Sequence, residues 1–216
     1  MKLSQILLLM GILSSLFGCA QSKLTNQELK LVNSLGYERS LVEEIKSAAK
    51  NKIVQIPKIN EYGEVLDEKD NGISAKITDE DRALNFVIEN KEKYNKKGYN
   101  LFLFDDDNNQ KFLTIVKNKT DFEILKWRQT NGINYEIDNQ KVIAKLTEWK
   151  AKYDFMLLGC GMDWLQVKFI SETPNFAEFS KEVYEFCPDA VDQGAGDLEK
   201  LAEEMKRMNG VFLWWD

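Results

Sequence analysis

The chain has 216 residues, 44% hydrophobic and 11% aromatic, which is enough to bury a sizeable core in one large domain or two small ones. Its formal charge of -6 becomes -7 without residues 1 to 18, whose only charge is Lys2, and an acidic surface of this kind argues against nucleic acid as a partner. There is no histidine, which excludes Ser-His and Cys-His nucleophile pairs and the commonest zinc ligand, leaving carboxylates, Lys, Tyr or Cys for any catalysis.

The N-terminus places Lys2 before an apolar run from Ile6 to Phe17 and then Leu16-Phe17-Gly18-Cys19. A small residue before the first cysteine of such a run resembles the lipobox of bacterial lipoproteins, so residues 1 to 18 are expected to be a signal peptide and Cys19 the lipidated residue. The alternatives are an uncleaved anchor or a simple secretory signal, and the run is short for a membrane-spanning helix. Two acyl chains would hold the protein stably on a membrane. Ala20 and Gln21, with no Asp after Cys19, favour the outer membrane by analogy with enterobacterial sorting.

Residues 19 to 71 read as a lipidated tether. Leu29, Val32 and Leu35, then Leu41, Ile45 and Ala48, predict two short helices either side of Gly36, or one helix and a tether. Residues 53 to 57 predict a short strand closed by Pro57, followed by a charged loop through Gly72.

An α+β domain is expected over 72 to 216. Residues 73 to 78 alternate as a strand. A helix follows from Asp79, its predicted N-cap, to Tyr94, with Gly98 near its end. Two apolar runs, 99 to 104 and 112 to 116, predict a hairpin with a solvated acidic tip at Asp105-Asp106-Asp107. Asp121 is the expected cap of a helix carrying Phe122, Leu125 and Trp127 and ending at Thr130-Asn131-Gly132. Asp138 precedes a helix with Val142, Leu146, Trp149 and Tyr153 at three- and four-residue spacing. Strands over 155 to 158 and 164 to 170 predict a second hairpin around Cys160-Gly161-Met162-Asp163. Thr173-Pro174 opens a helix over Phe176, Phe179, Val183 and Phe186, ending at Cys187-Pro188-Asp189. A last helix over Leu198, Leu201, Ala202 and Met205 precedes a strand, 211 to 215.

Helix, strand, strand, helix thus occurs twice, at about 79 to 131 and 139 to 187, with little residue identity between the halves, an architectural repeat open to either duplication or chance. The expected architecture is an antiparallel sheet with helices mainly on one face, ferredoxin-like in connectivity.

Tyr184-Glu185-Phe186-Cys187-Pro188-Asp189-Ala190-Val191-Asp192-Gln193-Gly194, the closing Trp214-Trp215-Asp216 and the segment Gln129-Thr130-Asn131-Gly132-Ile133-Asn134-Tyr135 resemble the bacterial family known as domain of unknown function 4253. The resemblance covers about residues 120 to 216, with weaker similarity back to Gly72, and implies no established activity.

The helix-strand-strand-helix order has a geometric consequence. If one helix runs down, its hairpin tip and the end of the next helix lie at the same edge, and a further helix and strand return there. Cys160 to Asp163, Cys187 to Asp189, and Trp215 with Asp216 should therefore converge. The candidate binding edge comprises Asn131, Asn134, Asp163, Cys187, Asp189, Asp192, Gln193, Trp214, Trp215 and Asp216. Clustered carboxylates and indole faces favour a cation or a basic partner. The plainer reading is that Asp189 and Asp192 hold the turn backbone, Asp197 caps the next helix and one tryptophan is core. With Cys19 acylated, Cys160 and Cys187 remain, and a disulfide or two buried free thiols are both open. The function expected is a non-enzymatic, membrane-anchored interaction protein with a protein partner, no catalytic or metal-binding residues and no cofactor. The alternative is a hydrolase or transferase using Asp163, Asp189 or Asp192, with or without a divalent cation.

Overall fold

Alternation along each strand sends apolar side chains to both faces of the sheet. In β3 (Tyr99–Asp105), Leu101 and Leu103 enter one core while Phe102 and Phe104 enter the other. The computed structural model describes residues 23–60, 64–106, 108–171 and 173–216. The expected signal peptide and Cys19 lie outside the described residues.

Among the described residues, seven strands form one sheet in the order β1-β2-β4-β3-β5-β6-β7. Besides β3 they are β1 (Ile53–Ile59), β2 (Val65–Lys76), β4 (Lys111–Lys117), β5 (Phe155–Cys160), β6 (Trp164–Phe169) and β7 (Gly210–Trp214). All neighbours are antiparallel except β3 and β5, which are parallel at Leu103 and Gly159. The α+β class and the predominantly antiparallel sheet are as expected.

Helix placement differs from expectation. Three helices, α1 (Asn26–Leu35), α2 (Arg39–Ala49) and α3 (Glu80–Asn95), bury Val32, Ile45 and Val87 against one face. Four others, α4 (Asp121–Arg128), α5 (Asn139–Lys152), α6 (Phe176–Phe186) and α7 (Leu198–Met208), bury Leu125, Leu146, Val183 and Met205 against the other. The helices therefore take both faces rather than mainly one, because β3, β4 and β5 carry apolar residues on both.

The connectivity is only partly ferredoxin-like. β2, α3 and β3 make a split crossover with β4 inserted between the parallel strands. A ferredoxin-like chain would return its next strand to the far edge of β2, but β1 occupies it, and β5 joins β3 instead. The helix-strand-strand-helix order does recur. Its two occurrences pack differently, since α3 lies on the opposite face from α4, α5 and α6.

The expected tether, in its described part, belongs to the body. A ten-residue amphipathic helix is marginal in water without a surface to cover, and α1 and α2 find that surface on β1, β2 and β4. Glu28 ties them together: its carboxylate accepts from Lys46 Nζ at 2.6 Å, from the Ile53 backbone N–H at 3.0 Å and from that of Thr25 at 2.7 Å. The charged loop expected before Gly72 is largely strand β2. Among the described residues, the buried side chains of the two cores run from Leu24 to Trp215.

The caps show where local rules hold. Asp79, Asp138 and Asp197 each accept a backbone N–H three residues on, as helix N-caps do. Asp121 does not cap α4; Thr120 does, in a reciprocal pair with Glu123. The Asp121 carboxylate is drawn instead to the buried Lys91 at 3.0 Å, Asn100 at 2.8 Å and the Leu157 N–H at 2.8 Å. Helix α6 begins later than Thr173-Pro174, with Asn175 as its cap.

Candidate functional site

The expected convergence of chain segments is present at the end of the sheet formed by the β5–β6 tip and the close of β7. The Trp215 N–H donates to the Asp163 carbonyl at 2.9 Å, and its indole Nε1–H to the Phe186 carbonyl at 3.2 Å. The Asn131 N–H donates to the Met162 carbonyl at 2.7 Å, which brings the α4–α5 connection to the same place.

Asp189 fastens these segments together. It is 1% exposed, and its carboxylate accepts from the Tyr135 hydroxyl at 2.5 Å, Gln193 Nε2 at 2.9 Å and the Asp216 N–H at 2.9 Å. Burial alone would raise its pKa, but these donors outweigh it and hold the carboxyl below the usual range. The same bond pushes the Tyr135 hydroxyl up to about 12. Asp189 is thus a latch joining the α5 approach, the helix-like turn 190–195 and the C-terminus.

Two glycines show how close the fit is. A Cβ on Gly132 would sit 2.6 Å from the Trp215 ring, and one on Gly194 would sit 2.4 Å from the Trp214 ring. Only a residue without a side chain lets the indoles lie against the backbone there. Trp215 is core, and Trp214 is half-buried, continuing an aromatic row with Phe212 and Trp164.

The thiols are buried and unpaired with each other. Of the two readings left open by the sequence, free thiols are found. Cys187 donates its S–H to the Trp214 carbonyl at 2.9 Å. Burial pushes Cys160 up to about 12 and Cys187 up to about 11, which suits packing and not nucleophilic attack.

The remaining candidates face solvent. Asp163, Asn134, Gln193 and Asp216 are exposed, and Asp192 accepts weakly from the Tyr184 hydroxyl at 3.2 Å. Asn131 is half-buried and turned inward on its own loop, accepting from the Ile133 N–H and donating to the Gln129 carbonyl. Among them stand large apolar side chains absent from the candidate edge: Ile133 at 70% exposure, Met162 at 50%, Tyr135 and Tyr184. Their types are ordinary, so only their exposure marks them. Asp105 is a further such residue, its place in an acidic hairpin tip giving no local sign of burial. Its carboxylate accepts from the Trp164 indole at 2.6 Å, and burial, reinforced by nearby Asp163, pushes its pKa up against that bond.

Among the described residues no group of three or more Cys, Asp and Glu is arranged to hold a metal ion, and no helix is long and apolar enough to cross a membrane. Fold and site together define a mixed α+β protein whose C-terminal strand closes a buried polar latch, with exposed apolar and acidic side chains around it. Residues 112–216, from the start of β4 to the last residue, match the family model described as domain of unknown function (DUF4253). No curated protein and no solved structure matches it.

Proposed function

We propose that the protein is a membrane-anchored interaction protein, held by a lipid on Cys19, whose acidic and aromatic edge binds a basic protein surface. The observation that carries this reading is the clustering of exposed Ile133, Tyr135, Met162 and Tyr184 around the carboxylates of Asp163, Asp192 and Asp216. Tyrosine, methionine and an aliphatic side chain within a charged rim match the composition of protein interfaces, and the rim supplies orientation and rapid encounter. The latch beneath keeps that surface in shape, so binding need not pay for ordering it.

Less supports a hydrolase or transferase. Asp189, its best-placed carboxylate, is committed to Tyr135, Gln193 and the Asp216 backbone, and the thiols are buried.

Affinity purification of the tagged full chain from its native envelope tests the interaction. A stoichiometric protein partner should co-purify with wild type and with an Ile170→Arg control at the far end of β6, and be lost with Ile133→Arg/Asp192→Lys. Equal recovery by all three would sink the reading. Incorporation of a fatty-acid analogue, with Cys19→Ala as comparison, tests the anchor; an unlabelled wild type would end it.

A further inference from the structure

A concavity along β1 carries charge opposite to that of the molecule as a whole. It has a volume of about 1050 Å³ and is lined, among the described residues, by five lysines, Lys23, Lys46, Lys50, Lys52 and Lys69, and by a single carboxylate, Glu28. Glu28 is engaged with Lys46 at 2.6 Å. The other four lysines are exposed and form no ion pair among the described residues, although lysines elsewhere on the chain are widely paired. Exposed cations gathered on one rim of an acidic protein repel one another, and an anionic surface relieves that repulsion. Ser74 and the stacked rings of Phe104 and Phe112, 5.1 Å apart, form part of the lining behind the rim.

Chain length places this rim near a bilayer. Lys23 lies four residues after Cys19, and four extended residues reach at most about 14 Å. An acylated Cys19 would therefore hold Lys23, and the concavity it lines, close to the lipid headgroups. The acidic edge lies away from it: β1 and β7 are the opposite margins of the sheet, six strand spacings or roughly 29 Å apart.

We propose that the lysine-rimmed concavity along β1 seats on anionic lipid headgroups and so turns the acidic edge at β7 away from the bilayer. The inference rests on the lipid-anchored reading for its membrane and goes beyond it in assigning a surface and an orientation. The anchor supplies residence, and the lysines supply direction.

Flotation of residues 20–216, without the lipid, against two kinds of vesicle tests it. The protein should float with vesicles of equal parts phosphatidylglycerol and phosphatidylcholine, be released by added salt, and stay behind with phosphatidylcholine alone. Lys23→Glu/Lys52→Glu/Lys69→Glu should weaken binding on the order of tenfold or more. The corresponding glutamine variants provide a second set should charge reversal unfold the protein. Equal flotation with both vesicles, or unchanged binding by the variants, would overturn the proposal. So would release by inorganic phosphate at constant ionic strength, which would identify a soluble anion as the ligand. Fatty-acid labelling separates the two ideas: a labelled Cys19 without flotation sinks the headgroup surface alone, and flotation without label sinks the anchor alone.

Discussion

Asp189 makes its three hydrogen bonds only as an ionised acceptor, and that ties its contribution to pH. Its folded pKa lies below the unfolded value near 4, so its stabilisation is fully present above that value and is lost as pH falls through the folded one. Asp189→Asn should lower stability at neutral pH by about 1.5 to 3 kcal/mol, the scale of a hydrogen bond to a charged group. Its stability should also fall less steeply on acidification than that of wild type. Urea unfolding across pH 3 to 7, roughly spanning the carboxylate range, measures both, and parallel curves would contradict the role of the charge.

The cysteines give a second prediction at this scale. Cys160 and Cys187 are buried with raised pKa values, so both should resist alkylation in the folded protein and react together on unfolding. A reductant should leave the melting temperature unchanged; a drop would show a bridge between them. The sequence placed Cys187 and Asp189 at the right edge. It could not show that both are interior, since Asp and Pro beside a helix end are as common in solvated turns.

Among the elements, α1 and α2 show how a correct local reading led to a wrong assembly. The apolar positions Leu29 and Val32, then Leu41 and Ile45, lie on α1 and α2, the two-helix alternative of the sequence reading. Nothing local revealed that they cover a sheet, because the strands they cover include β4, more than sixty residues on. Glu28 holds this junction. Glu28→Ala leaves the buried Lys46 ammonium without its partner and should cost about 3 to 5 kcal/mol. Glu43→Ala, which removes an exposed pair with Arg39, should cost under about 1 kcal/mol. Similar midpoints in denaturant would remove Glu28 from its structural role.

For the molecule as a whole, the question is whether residues 23 to 52 are accessory or integral. Because they bury Val32, Leu41, Val42 and Ile45 on the same face that receives α3, a chain starting at Ile53 should lose cooperative unfolding and near-ultraviolet circular dichroism. A sharp transition in that shortened protein would restore the tether reading. The integral reading also sets a lysine-lined concavity along β1 at one margin of the sheet and exposed acidic and apolar side chains near β7, the other margin.

Caps and periodicities act over three or four residues, and so the sequence alone determined the order of helices and strands, the caps at Asp79, Asp138 and Asp197, and the return of three segments to one edge. Sheet order, the division of helices between two faces, the commitment of Asp189 and the exposure of Ile133 and Met162 were decided only by the tertiary structure. These depend on which distant surfaces compete for the same apolar area and the same donors. Asp121 shows that competition in one residue: its local pattern offers a helix cap, and the buried charge of Lys91 takes it.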